Sequence, residues 1–319
     1  MSEATIVEKL QFGAATLESR TGLGENDSAL VPDWDEHYQI DEGTIEDLAV
    51  CVEEDLPILL VGPTGCGKTA AVRALAALLN QPLQRINLHG DVRSSTFLGE
   101  KVLRVDPKSG QTITEWKDGV VPDAARRGHW LLLDEFDACP PSLAFTVQAL
   151  LENGHVLTLA DNHGEVIRPD PRFRIFATAN TTGRGDDAGI YNGTAVLNEA
   201  TLDRFQTFEF GYPDRDKEIE ILVEKTGIKA SVAGGFVDCA RLVRQGFDKS
   251  ETASTFSTRR LLAWALLARK FVGDSKDESA RKRADAHAFK IAVRGKLGKD
   301  DRAYVAGIVQ RTIGIDVSK

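Results

Sequence analysis

Residues Gly62-Pro63-Thr64-Gly65-Cys66-Gly67-Lys68-Thr69 set glycines, a lysine and a hydroxyl at the spacing G-x-x-x-x-G-K-T. Glycines let successive backbone N–H groups curl around phosphate oxygens, Lys68 can reach β- and γ-phosphates as a point charge, and the Thr69 hydroxyl is a ligand for Mg²⁺. A chance glycine-rich turn would lack the context found here: the apolar run Ile58-Leu59-Leu60-Val61 precedes the loop and the Ala/Leu-rich stretch Ala70–Leu79 follows it. Strand, loop and helix are therefore in register, and the helix N-terminus adds a favourable field for an anion. All of residues 62–69 are candidate contacts of a nucleotide. Cys66 lies within the loop and is assigned no chemistry of its own.

An acidic pair ends Leu131-Leu132-Leu133-Asp134-Glu135, about 60 residues downstream. At the end of a buried strand Asp134 would hold Mg²⁺, through water, and Glu135 would orient and polarise an attacking water, which is hydrolase rather than kinase chemistry. Asp137 reads as structural. Ala177-Thr178-Ala179-Asn180 ends a further apolar run, with a polar amide where open α/β sheets carry their ligand chemistry. An isolated Asn is an ordinary turn residue. In this order of motifs Asn180 is a candidate contact of the γ-phosphate or the lytic water.

Those groups need a sheet to hold them. Four short, branched, apolar runs predict central strands: Ile58–Val61, Arg85–Leu88, Trp130–Asp134 and Phe173–Thr178. Two hairpins are expected between them, Val102–Val105 with Thr112–Trp116, and Val156–Leu159 with Glu165–Ile167. A short helix is predicted over Thr5–Phe12. Beyond Tyr212-Pro213-Asp214 the strand signal ends, and helical segments are expected near Asp216–Lys225, Gly234–Gln245, Thr258–Phe271 and Ser279–Arg294. The chain is thus divided into an extension (1–40), an α/β nucleotide-binding domain (41–212) and a helical lid (213–319).

Bulk properties narrow the function classes. With 42% hydrophobic and 27% charged residues and no long apolar run, membrane insertion is not expected, and the N-terminus lacks the features of a secretory signal. A cytoplasmic location follows as an expectation, consistent with four cysteines at scattered spacings. A net charge of −9 argues against general nucleic-acid binding. Charge is uneven: residues 25–55 hold twelve acidic side chains and no Lys or Arg, whereas Arg281 to Arg302 is locally basic. Solvated surface is the ordinary explanation; complementary docking faces are the alternative.

Taken together, residues 62–69, 131–135 and Asn180 resemble the Walker A, Walker B and sensor 1 motifs of AAA+ ATPases. The resemblance implies an α/β fold, an αβα sandwich around a parallel sheet, followed by a small all-helical lid. Leu202-Asp203-Arg204-Phe205 is similar to the arginine-finger segment of the MoxR and chelatase branch, which implies that Arg204 reaches a neighbouring subunit's nucleotide. Ser257-Thr258-Arg259 is similar to the sensor 2 motif, with Arg260 as a substitute for Arg259. Such an arrangement implies a homo-oligomeric ring, usually of six, with ATP and Mg²⁺ as cofactors, and the two hairpins resemble inserts that face a pore or a partner. Residues 31–212, above all Thr178–Thr181 with Gly185-Asp186, Gly189, Tyr191, Gly193-Thr194 and Asn198, resemble the CobS-type ATPase subunits of aerobic cobaltochelatases. That branch implies remodelling of a partner with a von Willebrand A-type (VWA) domain. A generic MoxR chaperone of the CbbQ or NorQ kind that activates a metalloenzyme, and a nucleic-acid-associated AAA+ motor, are the competing functions.

Overall fold

A computed structural model describes residues 8–38, 41–88, 92–180, 199–273, 275 and 277–318. The chain divides into two compact units, one of Met1–Asp35, Ile40–Gly62 and Lys68–Phe210, the other of Glu36–Gln39, Pro63–Gly67 and Gly211–Lys319.

The first unit opens with strands β1 (Lys9–Phe12) and β2 (Ala15–Glu18), a turn of helix α1 (Glu25–Ser28) and helix α2 (Glu42–Glu53). Strand β3 (Ile58–Val61), helix α3 (Lys68–Leu78), strand β4 (Leu83–Asn87) and the short α4 (Ser94–Phe97) follow. Next come the hairpin β5 (Gly99–Val105) and β6 (Thr112–Asp118), then α5 (Val120–Arg127), β7 (Trp130–Asp134) and α6 (Pro141–Leu150). The hairpin β8 (Leu157–Leu159) and β9 (Glu165–Ile167), strand β10 (Arg174–Ala179), α7 (Glu199–Leu202) and β11 (Gln206–Glu209) complete it.

The central sheet has the order β11-β3-β10-β7-β4, every pair parallel. Its middle strands read as unbroken apolar runs because both faces are covered. Leu59, Val61, Leu131, Leu133, Ile175 and Ala177 point to one face and share a core with Val121 of α5 and Val147 of α6. Ile58, Leu60, Leu132 and Phe176 alternate with them and are equally buried, with the rings of Trp130 and Phe176 4.9 Å apart. The strand containing Arg85, expected at the centre, lies at the edge of this sheet. Its Gln84 is only partly buried and its Arg85 is exposed, which a strand paired on one side tolerates.

The helix expected over Thr5–Phe12 is overturned within the described residues, where Lys9–Phe12 is a strand paired antiparallel with Ala15–Glu18. Gly13, at φ +53°, makes the turn, and the alternation that buries Ala15 and Leu17 has a period of two, not 3.6. Both expected hairpins are present. The acidic run is not a uniform solvated face: Asp27 pairs with Arg127 and lies 2.9 Å from His129, Asp55 pairs with Arg174 at 3.1 Å, and Asp41 caps α2 at the Thr44 N–H.

In the second unit, helices α8 (Arg215–Thr226), α9 (Ala230–Asp248), α10 (Thr258–Val272), α11 (Glu278–Ala292) and α12 (Lys299–Ile313) pack around Trp264. The Trp264 indole stacks on Phe236 at 3.7 Å and meets Phe289 edge-on at 5.1 Å. The first four of these helices are those expected from sequence; α12 is additional. Asp301, buried in its first turn, accepts from the Thr252 and Ser254 hydroxyls and the Ala253 N–H, which ties α12 to the loop before α10. The basic stretch is partly engaged locally, with Lys282 on Glu278 and the Arg281 Nε donating to the Ser275 carbonyl. No described helix is long and apolar enough to cross a membrane.

Candidate nucleotide site

The loop 62–69 leaves β3 under tight constraint. The Gly62 N–H donates to the Ala179 carbonyl at 3.1 Å, and a Cβ at Gly62 would stand 2.0 Å from the Phe210 carbonyl oxygen, so no side chain fits there. Gly65 adopts φ +74°, and its added Cβ would meet that of Ser257 at 2.8 Å. Within the second unit the Tyr212 hydroxyl donates to the Thr64 carbonyl at 3.1 Å and the Tyr38 hydroxyl to the Gly67 carbonyl at 3.3 Å. Pro63 belongs to the same stretch, and the Cys66 side chain is half-buried.

Lys68 and Thr69 open α3 and point to the ends of the neighbouring strands. The buried Lys68 ammonium donates to the Gly62 carbonyl at 2.5 Å and to the Asn180 side-chain oxygen at 3.1 Å. The Thr69 hydroxyl donates to Asp134 Oδ1 at 3.3 Å. Parallel pairing of β10 with β3 and β7 produces this convergence, because the loop, Asp134 and Asn180 all follow the carboxyl ends of adjacent strands.

Asp134 is almost fully buried. Its Oδ1 also accepts from the Thr178 hydroxyl, and its Oδ2 is paired with the Arg85 guanidinium. Glu135, by contrast, is exposed and sits in the left-handed region at φ 57° and ψ 47°, its N–H donating to Thr178 Oγ1 at 3.3 Å. A non-glycine residue there costs on the order of 1–3 kcal/mol and is retained where the side chain must point in an unusual direction. Asp137 is buried and accepts the Asn180 N–H at 2.9 Å, in line with a structural role.

Two residues of the site were not singled out as candidates from sequence. Thr178 joins Asp134 to the Glu135 backbone, and Arg85 neutralises Asp134 from the edge strand. The available signal was a lone cation, Arg85, between Gln84 and Ile86 in a short strand.

The two other arginines are held differently. Arg204 Nε and Nη2 both donate to Glu152 Oε1, at 2.9 and 2.5 Å, and a further N–H meets the Ala200 carbonyl. Arg259, in the first turn of α10, is exposed, whereas Arg260 is half-buried and donates to the Thr255 carbonyl at 2.9 Å. Burial holds Arg260 below the usual guanidinium range. Ser257 caps α10 by accepting the Arg260 N–H at 3.3 Å, and Thr258 donates to the buried Glu218 at 2.6 Å.

The donor set suits a small hard cation. A hydroxyl and a carboxylate oxygen 3.3 Å apart fit Mg²⁺, the hydroxyl as a ligand and the carboxylate through a bound water, when phosphate oxygens and waters supply the rest of its shell.

Comparison with known proteins gives the likenesses of the chain. The family described as AAA domain (dynein-related subfamily) matches residues 57–205, and the family described as CbbQ/NirQ/NorQ C-terminal matches residues 218–310. The aerobic cobaltochelatase subunit CobS of a Sinorhizobium species is 34% identical over an alignment covering 100% of this chain and 93% of that protein. Protein NorQ of Paracoccus denitrificans is 33% identical over 66% of this chain and 72% of its own length. Among solved structures, a point mutant of RuvB from Thermotoga maritima superposes with a TM-score of 0.51, covering 88% of this chain and 84% of that one, at 13% identity, a likeness of fold.

Proposed function

Because the chain belongs to the MoxR-type AAA+ ATPases that include CobS and NorQ, we propose that it is a Mg²⁺-dependent ATPase that forms a ring, of six subunits, and couples hydrolysis to remodelling a partner protein. The observation that carries this reading is the convergence of Lys68 on Asn180 and of Thr69 on Asp134 at the ends of three adjacent strands.

In this reading the backbone of residues 62–67 cradles the phosphates and Lys68 exchanges its contact with the Gly62 carbonyl for phosphate oxygens. Thr69, and Asp134 through water, would hold Mg²⁺, which would neutralise phosphate charge. Glu135 orients and deprotonates the lytic water; its backbone, fixed to Thr178, sets the direction of the carboxylate. Asn180 touches the γ-phosphate or that water, and Arg259 contacts the γ-phosphate from the lid. Arg204, bound to Glu152, is the cation lent to the adjacent subunit, where it would stabilise charge that builds up in transfer.

The full-length likeness to CobS supports a partner with a VWA-type domain, and cobalt chelation as the process served. The match of residues 218–310 to the CbbQ/NirQ/NorQ family supports the second reading, a chaperone that activates a metalloenzyme.

A mixing experiment tests the shared site. Glu135→Gln and Arg204→Ala proteins should each hydrolyse ATP at least ~100-fold more slowly than the unmodified protein, on the scale of losing a water-activating group or an arginine finger. Mixed in equal amounts they should regain activity, because some interfaces then pair an intact Glu135 with an intact Arg204. Absence of recovery in a mixture shown to co-assemble would place both residues in one subunit's site and refute the shared arrangement.

A further inference from the structure

We infer that Arg85 is a placeholder cation on the metal-binding carboxylate, keeping free Mg²⁺ off Asp134 until the ion arrives with a triphosphate. The inference rests on the assignment of Asp134 as the carboxylate that holds the metal. Strand β4 runs beside β7 with Arg85 opposite Leu132 and Asn87 opposite Asp134, so the Arg85 side chain reaches forward along the sheet edge to Asp134 Oδ2.

The two ends of this pair differ in environment. The Asp134 side chain is 8% exposed and the Arg85 side chain 50%. A carboxylate that buried needs a countercharge, and neutral hydroxyls supply only part of what water would. Thr69 and Thr178 occupy Oδ1, and Arg85 brings positive charge to Oδ2. A divalent ion held by Thr69 and Asp134 would stand beside that guanidinium, and two cations a few ångström apart on a single carboxylate repel strongly where the dielectric is low.

Free Mg²⁺ must therefore displace or crowd Arg85 with only its own attraction to the carboxylate to offset the loss. Mg²⁺ that enters with ATP brings a polyanion that attracts the guanidinium in its turn, and the half-exposed arm of Arg85 has room to swing. The edge position of β4 matters here, since a central strand would leave no solvent for the displaced charge. The consequence is ordered loading: metal and nucleotide bind together, and the metal alone does not.

Mg²⁺ titrations of the full nucleotide-free chain, read by calorimetry, test this without any turnover. Arg85→Gln should bind Mg²⁺ at least about fivefold more tightly than the unmodified protein, while Arg85→Lys, which keeps the charge, should stay within about twofold of it. A glutamine variant that binds Mg²⁺ no better overturns the inference, and so does a lysine variant that behaves like the glutamine one. Arg85→Ser repeats the measurement should Arg85→Gln fail to fold. Asp134→Asn, titrated with Mg²⁺ in the presence of ATP, separates the two levels. Unchanged Mg²⁺ dependence of nucleotide binding there would remove Asp134 as the carboxylate that holds the metal and the placeholder role with it. Lost dependence with no effect of Arg85→Gln would reject the placeholder alone.

Discussion

Exchanging Glu218 for glutamine should cost the helical unit about 3–5 kcal/mol, the usual loss when a buried ion pair keeps only one of its charges. Glu218 has no exposed surface, and its two oxygens accept from Arg244 Nη1 at 2.9 Å and Nη2 at 2.7 Å. Arg244 Nε is held by the Phe256 carbonyl at 2.7 Å, and the Tyr212 ring covers the guanidinium at 3.8 Å. Water therefore has little room to take the place of the carboxylate. Each hydrogen bond to a charged group contributes about 1.5–3 kcal/mol, and glutamine would keep one acceptor while turning an amide N–H₂ toward the cation. Urea denaturation, followed by hydrogen exchange at the amides of α9 and α10, measures the loss. The double variant Glu218→Met with Arg244→Met buries no charge and should recover most of the stability. A loss below about 1 kcal/mol for Glu218→Gln would mean that the pair is solvated, and the argument from burial would fail.

Two further outcomes follow from particular side chains. Gly65→Ala forces a Cβ onto φ +74° and to 2.8 Å from the Ser257 Cβ; at about 1–2 kcal/mol it should weaken ATP binding about tenfold, with partial recovery when Ser257→Gly is added, both read from nucleotide titrations. Asp285 in α11 is pushed up to about 6 by burial, with Arg281 opposing. Its folded value lies above the ordinary carboxylate value, so the stability it contributes is present at low pH and is lost as pH rises through about 6. Asp285→Asn should accordingly stabilise the protein by about 1–3 kcal/mol near pH ~7.5 and give no advantage near pH ~4, measured by urea denaturation at both values.

What the sequence discloses about this site is what lies contiguous in it. The loop 62–69 carries its own strand and helix, and Asp134-Glu135 and Asn180 each end an apolar run, so their types and order single them out as candidates. Arg85 and Thr178 enter through lateral register, since Arg85 reaches Asp134 across the gap between β4 and β7 and Thr178 reaches it from β10. No pattern along the chain encodes those neighbours. Lys9–Phe12 was misassigned because so short a segment does not separate a period of two from one of 3.6, and the pairing with Ala15–Glu18 decided it. β11 escaped notice for a related reason: Gln206-Thr207-Phe208-Glu209 is largely exposed and lacks the apolar run of its neighbours. Helix α12, with its buried Val305, Ile308 and Val309, does carry a helical spacing that the four-helix expectation passed over. The loop Gly185 to Asn198, on which much of the resemblance to CobS-type subunits rested, lies outside the described residues.

The least conspicuous strand also sets a schedule for making the protein. β11 pairs with β3, Gln206 opposite Ile58, and the Phe210 N–H donates to the Val61 carbonyl at 2.7 Å just where Gly62 begins the phosphate loop. The wall behind Gly62 is thus built from chain that leaves the ribosome 148 residues later, the separation of Gly62 and Phe210. At typical elongation speeds that interval is about 7–30 s. During it the nascent chain exposes a complete phosphate-binding motif whose supporting strand does not yet exist. Nucleotide capture should accordingly begin late in synthesis, and a chain cut short before residue 206 should carry every one of the Walker residues and still fail to hold ATP.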